Sequence, residues 1–508
     1  MGNTGTQDQG GTTSTAQLPA RLPGTVVADC CYGGNNPGNV ALAGTARHCY
    51  TVGIAATEIR AVFANWYTNT TGDDTDNTVT LTFHASIEDA AGNIYRLTFG
   101  GSQTGTLDGG GIVVSDPVCM QVNPGDVIAT RTYLTTTNTA NGNRTVQLLA
   151  AGNYGGWVST DQTAPGSGAV NSSTHNTWGP VAIIGLPSTN ARARAVLLQG
   201  DSIGVGKGDG SIGANTGPIP NNPWFSSGGY LVRALAGQAG IMNICVSSDA
   251  EFYFEQDGGH FRRMALASSC NFAVDEYGVN DIQVLGQTAL QLETNLLARA
   301  TDNARYGIAK TFIVTLAPHT TSTDDWITTV NQTVTVNEPT RVAHNTWVRA
   351  GGPISPTTLL PVAAGTAGAL LFGQGAHPIA GYFDAASAME TALNSGIWPA
   401  PVRTLADGTC GTTTAISAPD ANFVNAAIPA GDLGRLIVIP GAGVAGATYQ
   451  GYIAAVGSAT AATLTLATST AIAGTATFAI GAPTADGIHP SPDVAAAASA
   501  MVSPSVFV

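Results

Sequence analysis

Short apolar runs that alternate with polar residues occupy the first part of the chain, between about residues 45 and 190, and Gly, Asn and Asp turns separate them. These alternating segments lie at 58–64, 79–84, 94–99, 127–133 and 145–149. Side chains of a β-strand point alternately to its two faces, so a period of two predicts strands with one buried face. Strands at this spacing predict an antiparallel β-sandwich over residues 45–190.

The pattern changes near residue 191, where short buried-strand runs begin to alternate with helical periodicity. Strands are expected at 195–199, 241–246, 272–276 and 311–316, and helices at 230–238, 261–268, 282–303 and 338–349. Strands that alternate with helices imply parallel pairing through right-handed crossovers. The sequence therefore predicts an α/β domain with a doubly wound parallel sheet, formed by residues 191–401 and 483–508.

Two segments fit neither pattern. Residues 1–44 have low complexity and few apolar residues, which predicts a flexible N-terminal arm. Residues 402–482 lack helical periodicity but contain strand-like runs, at 435–439, 449–453, 463–466 and 475–480. A stretch of this length without structure is rare inside a compact domain, so the segment predicts a small inserted β module. We expect the module to overhang the crevice at the carboxyl side of the sheet and to contact a long substrate.

Charge and composition exclude some classes of function. The chain has 508 residues with 19 Lys plus Arg against 33 Asp plus Glu, a formal charge of −14, which argues against a nucleic-acid partner. The sequence has no apolar stretch of about 18 residues and no Sec-type leader pattern, so we expect no membrane insertion. Few lysines and many Thr and Asn residues are typical of secreted or virion-exposed proteins. We therefore expect an extracellular or virion-associated location.

Candidate chemistry begins with Gly200-Asp201-Ser202, directly after the first predicted strand of the α/β domain. In an open parallel sheet, the carboxyl end of that strand borders the crevice where ligands bind. A serine hydroxyl is a poor nucleophile at neutral pH unless a base takes its proton. The spacing of Asp486 and His489 lets the carboxylate hold one imidazole nitrogen and leaves the other for Ser202.

Attack by a serine on an acyl carbon creates an oxyanion that N–H donors must stabilise. The run Gly278-Val279-Asn280-Asp281 follows the third predicted strand, which places the Asn280 amide in the same crevice. Backbone N–H groups of Ser202 and of the loop after the second strand complete the predicted oxyanion hole.

The other seven histidines lack the arrangement of His489. His377 has Gln374 three residues before it, and an amide does not stabilise an imidazolium as a carboxylate does. We interpret His377 and the remaining six, His319 among them, as structural or surface residues.

Taken together and in this order, these blocks resemble those of the SGNH (GDSL-type) hydrolases. The Gly-Asp-Ser block matches at Ser202, the Gly-x-Asn-Asp block at Asn280, and the Asp-x-x-His-Pro block at Asp486 and His489. The resemblance covers most of the predicted α/β domain and implies a flavodoxin-like sheet. The predicted sandwich also resembles the N-terminal β domain of some bacterial SGNH esterases.

The second sequence block of the SGNH family is an Asn-x-Gly-x-x-Gly-Asp run. Residues 243–249 fit it, except that Cys245 and Ser248 replace the two glycines. A backbone donor survives the change from Gly to Ser. The resemblance therefore implies that Ser248 N–H joins Ser202 N–H and Asn280 in the oxyanion hole.

The activity that this resemblance implies is that of a serine esterase. Ser202 would be the nucleophile, His489 the base and then the acid, and Asp486 the residue that orients it, with no metal or organic cofactor. SGNH enzymes with appended β domains are often carbohydrate esterases, so the implied substrate is an O-acetylated polysaccharide or a small ester.

Two alternative functions stay open at this point. A virion or surface binding protein would use the SGNH domain as a scaffold for attachment to host glycans, assembled on a virion or as a homo-oligomer. The flexible arm and the inserted module favour that alternative, whereas the intact Ser, Asn, Asp and His set argues against a dead scaffold. A short-chain lipase or esterase is the other alternative, and no long apolar lid in the sequence supports a lipase.

Overall fold

The computed structural model describes residues 21–31, 44–69, 72–135, 155–170, 178–188, 194–209, 228–256 and 260–508. These residues form two packed antiparallel sheets, a parallel sheet flanked by helices, and a closed β-barrel. Among them, no helix is both long and apolar enough to cross a membrane.

The N-terminal part of the chain consists of short strands. They are β1 Thr25–Val26, β2 Asp29–Cys31, β3 Gly44–Thr51, β4 Ala56–Ala64, β5 Trp66–Thr68, β6 Asp74–Asp76, β7 Leu81–Glu88, β8 Ile94–Arg96, β9 Gly105–Leu107, β10 Ile112–Val114, β11 Val118–Val122, β12 Val127–Leu134, β13 Gly155–Val158 and β14 Ala182–Pro187. One sheet has the order β1-β14-β4-β10, with β11 also on β4, and the other has the order β13-β3-β12-β7-β8, with β9 also on β7. Strands β5 and β6 form a separate ribbon. The strand expected at 145–149 lies outside the described residues.

Aromatic side chains fill the space between the two sheets. Phe63 of β4 and Phe83 of β7 lie with ring centroids 4.7 Å apart, and Trp178 packs on both. The Trp178 indole N–H donates to Ala64 O at 3.2 Å, so its one polar atom is satisfied in the core. The alternating pattern of the sequence therefore corresponds to two sheets with a shared apolar interior.

Helices and parallel strands follow from residue 195. They are β15 Ala195–Gln199, α1 Ser202–Val205, α2 Tyr230–Leu235, β16 Gly240–Asn243, α3 Glu251–Gln256, α4 Phe261–Ala265, β17 Phe272–Asp275, α5 Val279–Gln283, α6 Ala289–Arg305, β18 Lys310–Val314, β19 Thr320–Ser322, β20 Gln332–Val334, α7 Glu338–Arg349 and β21 Ile379–Phe383. The sheet order is β2-β16-β15-β17-β18-β21, and every pair in it is parallel. Apart from β2, this is the flavodoxin-like order, in which the second strand lies outside the first.

The expectation of a flexible arm over residues 1–44 is wrong for residues 21–31. Strand β1 pairs with β14 of the sandwich, whereas β2 pairs with β16 and forms the edge of the parallel sheet. Val26, Val27 and Cys30 are fully buried. The apolar run from Thr25 to Cys31 is short, and the average composition of the polar segment around it conceals the strands.

The single helix expected over 282–303 is two helices. Gly286, with φ of 66°, lies between α5 and α6. Thr288 then caps α6 through a capping box, in which its side chain accepts from Gln291 N–H and the Gln291 side chain accepts from Thr288 N–H. Both signals were present in the sequence, since Thr-x-x-Gln after a glycine is a helix start.

The inserted segment forms a closed six-stranded barrel. Its strands are β22 Arg403–Cys410, β23 Ala415–Ser417, β24 Leu436–Ile439, β25 Tyr449–Ser458, β26 Ala461–Leu464 and β27 Ile472–Ile480, and helix α8 Pro492–Ser499 follows. The order around the barrel is β22-β23-β26-β25-β24-β27. Two of these strands, β22 and β23, have no strong alternation in the sequence and were not expected.

Candidate active site

Ser202 begins helix α1, just beyond the carboxyl end of β15. Asp201 caps this helix, because its carboxylate accepts the Ile203 backbone N–H at 2.9 Å. Asn243, at the end of β16, donates from its side chain to Gly204 O at 2.9 Å. The turn that carries Ser202 is therefore fixed from two sides.

Glu276, the residue after β17, lies beneath the same turn. It accepts backbone hydrogen bonds from Asp201 and Gly204, and burial raises the pKa of its carboxyl well above the ordinary value. A Cβ on Gly204 would lie 3.0 Å from Glu276 Oε2 and 2.5 Å from Cys245 Sγ, so only glycine fits here. The sequence analysis missed Glu276, for which the only signal was an acidic residue at the end of an apolar strand run.

Three of the predicted residues meet in one hydrogen-bonded chain. His489 Nε2 lies 2.7 Å from Ser202 Oγ, and His489 Nδ1 lies 2.7 Å from Asp486 Oδ2. Ser202 is 9% exposed and His489 is 6% exposed, so the contact is sheltered but not sealed from solvent. This arrangement lets His489 take the Ser202 proton while Asp486 stabilises the resulting imidazolium.

Asp486 is held as a carboxylate. Burial acts to raise its pKa, but the hydrogen bond and charge of His489 and two backbone N–H donors outweigh burial and hold the pKa well below its usual value. Those donors are the N–H groups of Ile488 at 3.1 Å and His489 at 3.0 Å, both to Oδ1. The second carboxylate oxygen thus remains directed at the imidazole.

The loop that carries Asp486 and His489 is fixed through the Gly487 carbonyl. That oxygen accepts the Thr320 N–H and the Trp398 indole N–H, each at 3.0 Å. Trp398 is fully buried. The loop is therefore anchored to the core of the α/β domain as well as to its own turn.

The predicted oxyanion-hole residues are linked to one another less directly. Asn280 Nδ2 donates to Asp249 O at 2.8 Å and lies 3.4 Å from Asp201 Oδ2. Because Asp249 follows Ser248 and Asp201 precedes Ser202, these contacts bring the three predicted donors to the same part of the sheet edge. Within the described residues, the Asn280 side-chain nitrogen thus makes one short hydrogen bond, to Asp249 O, and one long contact, to Asp201 Oδ2.

Ser248 has φ of 69°, in the left-handed region that favours glycine, and it is exposed. The backbone therefore keeps the conformation that a glycine would adopt at this position, although a serine occupies it, at a modest cost in strain.

Two histidines that the sequence analysis treated alike differ in the structure. His377 bonds to Gly352 O at 2.8 Å and accepts the Ile379 N–H at 3.0 Å, which is a structural role. His319 lies close enough to the triad for Asp486 and His489 to act on its pKa. Burial lowers the pKa of His319, the charge of Asp486 acts to raise it, and His489 acts to lower it. Within the described residues, its buried Nδ1 has no hydrogen-bond partner. The hydrogen bond from Thr320 N–H to Gly487 O holds the neighbouring His319 beside the loop of the triad, and no local pattern in the sequence signals this proximity.

In the part of the chain that the structure describes, no group of three or more His, Cys, Asp and Glu side chains is arranged to hold a metal ion.

No family model and no curated protein matches this chain. Among solved structures, it is similar to a Bacillus subtilis protein, with 11% identity and a TM-score of 0.21 over 56% of this chain and 61% of that one. It is also similar to family two carbohydrate esterases. The one from Clostridium thermocellum, in complex with cellohexaose, has 13% identity and a TM-score of 0.21 over 57% of this chain and 78% of that one. The one from Cellvibrio japonicus has 11% identity and a TM-score of 0.20 over 58% and 79%.

The chain thus spans less than two thirds of the Bacillus protein. Likeness at such low TM-scores carries no function over to this chain.

Proposed function

We propose that the protein is a serine esterase of the SGNH type. The observation that carries this proposal is the chain from Ser202 through His489 to Asp486, with 2.7 Å at each link. These distances are within reach for proton transfer to a general base. The position of Ser202 at the carboxyl edge of a parallel sheet supports the same assignment.

In the proposed reaction, Ser202 Oγ attacks the ester carbonyl while its proton passes to His489 Nε2. The tetrahedral intermediate collapses, the C–O bond to the alcohol breaks, and His489 returns the proton to the leaving alcohol. Water then attacks the acyl-enzyme, with His489 again as the base, and releases the acid and free Ser202. Asp486 stays ionised throughout and stabilises the imidazolium.

The oxyanion would be held by the N–H groups of Ser202 and Ser248 and by the Asn280 amide. The second Asn280 N–H would donate to the oxyanion, because the first already donates to Asp249 O. Its long contact with Asp201 means that little is lost when it turns to the oxyanion. Burial raises the pKa of Asp201, which favours the neutral carboxyl and weakens its competition for the Asn280 amide.

We extend the proposal to O-acetyl groups on a polysaccharide, on the strength of the motif resemblance. The chain's charge of −14 is compatible with a neutral acyl substrate and unfavourable for a polyanionic one. A location outside the cell or on a virion, and assembly there, stay predictions.

The test is Ser202→Ala, assayed by release of acetate from a panel of acetylated glycans and by a p-nitrophenyl ester series. We expect a loss of at least about 10³-fold in kcat/KM for the preferred ester, with an unchanged melting temperature. Ser499→Ala, in which only a hydroxyl on α8 that donates to Ala496 O is lost, is the matched control.

Retention of a tenth of the activity in Ser202→Ala would remove Ser202 from the mechanism. Wild-type preference for long acyl chains over acetyl would favour the lipase instead. Tight glycan binding without any acetate release would favour the binding protein.

A further inference from the structure

The barrel has two different apolar faces, and one of them is turned to the hydrolase. On β25, Tyr449 and Ile453 belong to the interior of the barrel. Successive side chains of a strand point to opposite faces, so Gln450 and Tyr452 face outward. Gly451 lies on the same side as Tyr449 and Ile453. Tyr452 is 2% exposed.

The outward face packs against the loops of the α/β domain. Tyr452 clusters with four other buried apolar residues of the barrel side, and Ile327 and Ala485 of the α/β side pack against this cluster. The four are Leu436, Val438, Ala479 and Ala482. Ala485 directly precedes Asp486, and Ile327 lies in the segment between β19 and β20. The barrel thus covers apolar residues beside the triad.

Two hydrogen bonds from the same strand end on the loops of the triad. Gln450 Nε2 donates to Ala485 O at 3.1 Å, and the Tyr452 hydroxyl donates to Gly208 O at 3.0 Å. Ala485 belongs to the loop of Asp486 and His489. Gly208 follows Lys207, whose N–H donates to Ser202 O at 2.9 Å. One strand of the barrel therefore contacts both loops that carry the triad residues.

Gly208 is also the surface against which His489 rests. Its φ is 88°, and a Cβ there would lie 3.0 Å from His489 Cβ and 2.7 Å from Pro490 O. The backbone of the nucleophile loop is thus in direct contact with the backbone that carries the imidazole. Tyr452 fixes that contact from behind through the Gly208 carbonyl.

We propose that the barrel is a positioning element of the catalytic site, in which Gln450 and Tyr452 set the distance between Ser202 and His489. This inference rests on the proposed esterase function. It differs from the expectation that the inserted segment only contacts a long substrate. A barrel that only binds polymer would affect KM for the polymer and leave the turnover of a small ester unchanged.

The test compares two tyrosines of one strand. Tyr452→Phe removes the hydroxyl that bonds Gly208 O, whereas Tyr449→Phe removes a hydroxyl that donates to Leu466 O at 2.7 Å within the barrel. Gln450→Met removes the other donor at nearly constant volume. The readouts are kcat and KM for p-nitrophenyl acetate, the rate at which a fluorophosphonate labels Ser202, and the melting temperature.

We expect Tyr452→Phe and Gln450→Met each to lower kcat and the labelling rate about tenfold, and the double variant about 10²-fold, since misplacement of reacting groups is costly. KM should change less than twofold, and the melting temperature of Tyr452→Phe should match that of Tyr449→Phe.

Wild-type kcat in the double variant would overturn the positioning role while leaving the esterase intact. An equal loss of kcat in Tyr449→Phe would also overturn it, because the effect would then be one of barrel stability. A wild-type protein that neither hydrolyses esters nor labels at Ser202 would overturn both proposals.

Discussion

The two β units on either side of the α/β domain reach its active-site loops by different physical means. The sandwich, together with its β5-β6 ribbon, does so through buried charge, since Arg263 on α4 pairs with Asp74 of β6 at 2.8 Å and with Asp249 at 2.7 Å. All three side chains are fully buried. The barrel does so through neutral donors of β25, which bond two backbone carbonyls.

This difference has consequences for each side of the site. The Asp249 carbonyl accepts a hydrogen bond from the Asn280 amide, so Arg263 links the sandwich to the predicted oxyanion hole. The barrel instead contacts the loops of Ser202 and His489. Loss of one partner in a buried ion pair leaves an unpaired charge and costs several times more than loss of a neutral hydrogen bond. The sandwich contact should therefore decide whether the domain folds, and the barrel contact how well the triad is aligned.

The largest effect is expected from Arg263→Met, which leaves Asp74 and Asp249 buried without their counter-charge. We expect a loss of about 3–5 kcal/mol in the free energy of unfolding, measured by urea titration.

Arg435→Met is the counterpart on the barrel. Arg435 pairs with Asp493 in the first turn of α8, where the helix terminus also stabilises a carboxylate, so we expect about half that loss. Equal losses for the two variants would break the comparison.

A somewhat smaller effect is expected from Asn280→Ala, on the sandwich side of the site. Its kcat should fall about 10²- to 10³-fold with little change in KM, because the amide would bind charge that develops in the transition state. Asn331→Ala, which removes an exposed amide bonded to Asp324, is the control. A change in KM alone would show that Asn280 binds the ground-state substrate.

The smallest expected effect is a pH dependence of stability that the sandwich has and the barrel lacks. Burial, reinforced by the Arg47 charge, lowers the pKa of His48 in the sandwich from 6.5 to about 4. Between pH 6.5 and 4, His48 is therefore protonated in the unfolded chain but neutral in the folded protein. The free energy of unfolding falls as the pH drops through this range. We expect about 1–2 kcal/mol between pH 7 and pH 5. Hydrogen exchange should show this loss in the sandwich, less of it in His48→Gln, and none from this cause in residues 402–482, which contain no histidine. A His48→Gln variant with the full wild-type pH dependence would contradict the assignment to His48.

The bounds of individual helices and strands are predicted from the sequence better than the pairing between strands is. Residues 195–199 and 338–349 coincide with β15 and α7 at both ends, because each is one uninterrupted pattern. Strand β2 was not predicted, because its partner β16 is remote in the chain. Closure of the barrel was not predicted either, because it depends on remote pairs such as β22 with β27. Pairing over such distances leaves no periodic signal in either segment.

The candidate site shows the same division. The spacing of Asp486 and His489 gives a hydrogen bond within one turn, which a motif can show. The contact of His489 with Ser202 joins residues 287 positions apart, and the motif resemblance predicts it rather than local spacing. The positions of Glu276 and His319 in the site were not predicted. A buried carboxyl beneath a turn and a histidine beside a loop result from tertiary packing alone.

Strand β2 also sets an order in which the chain can be assembled. Its partner β16 lies about 210 residues later, so at about 5–20 residues per second a ribosome exposes β2 roughly 10–40 s before β16 exists. Strand β1, just before β2, pairs with β14, and that pairing becomes available earlier. The sandwich can thus close first and present β2 where β16 will arrive. A sandwich that closes first during synthesis would hold β2 in place as the edge strand of the parallel sheet.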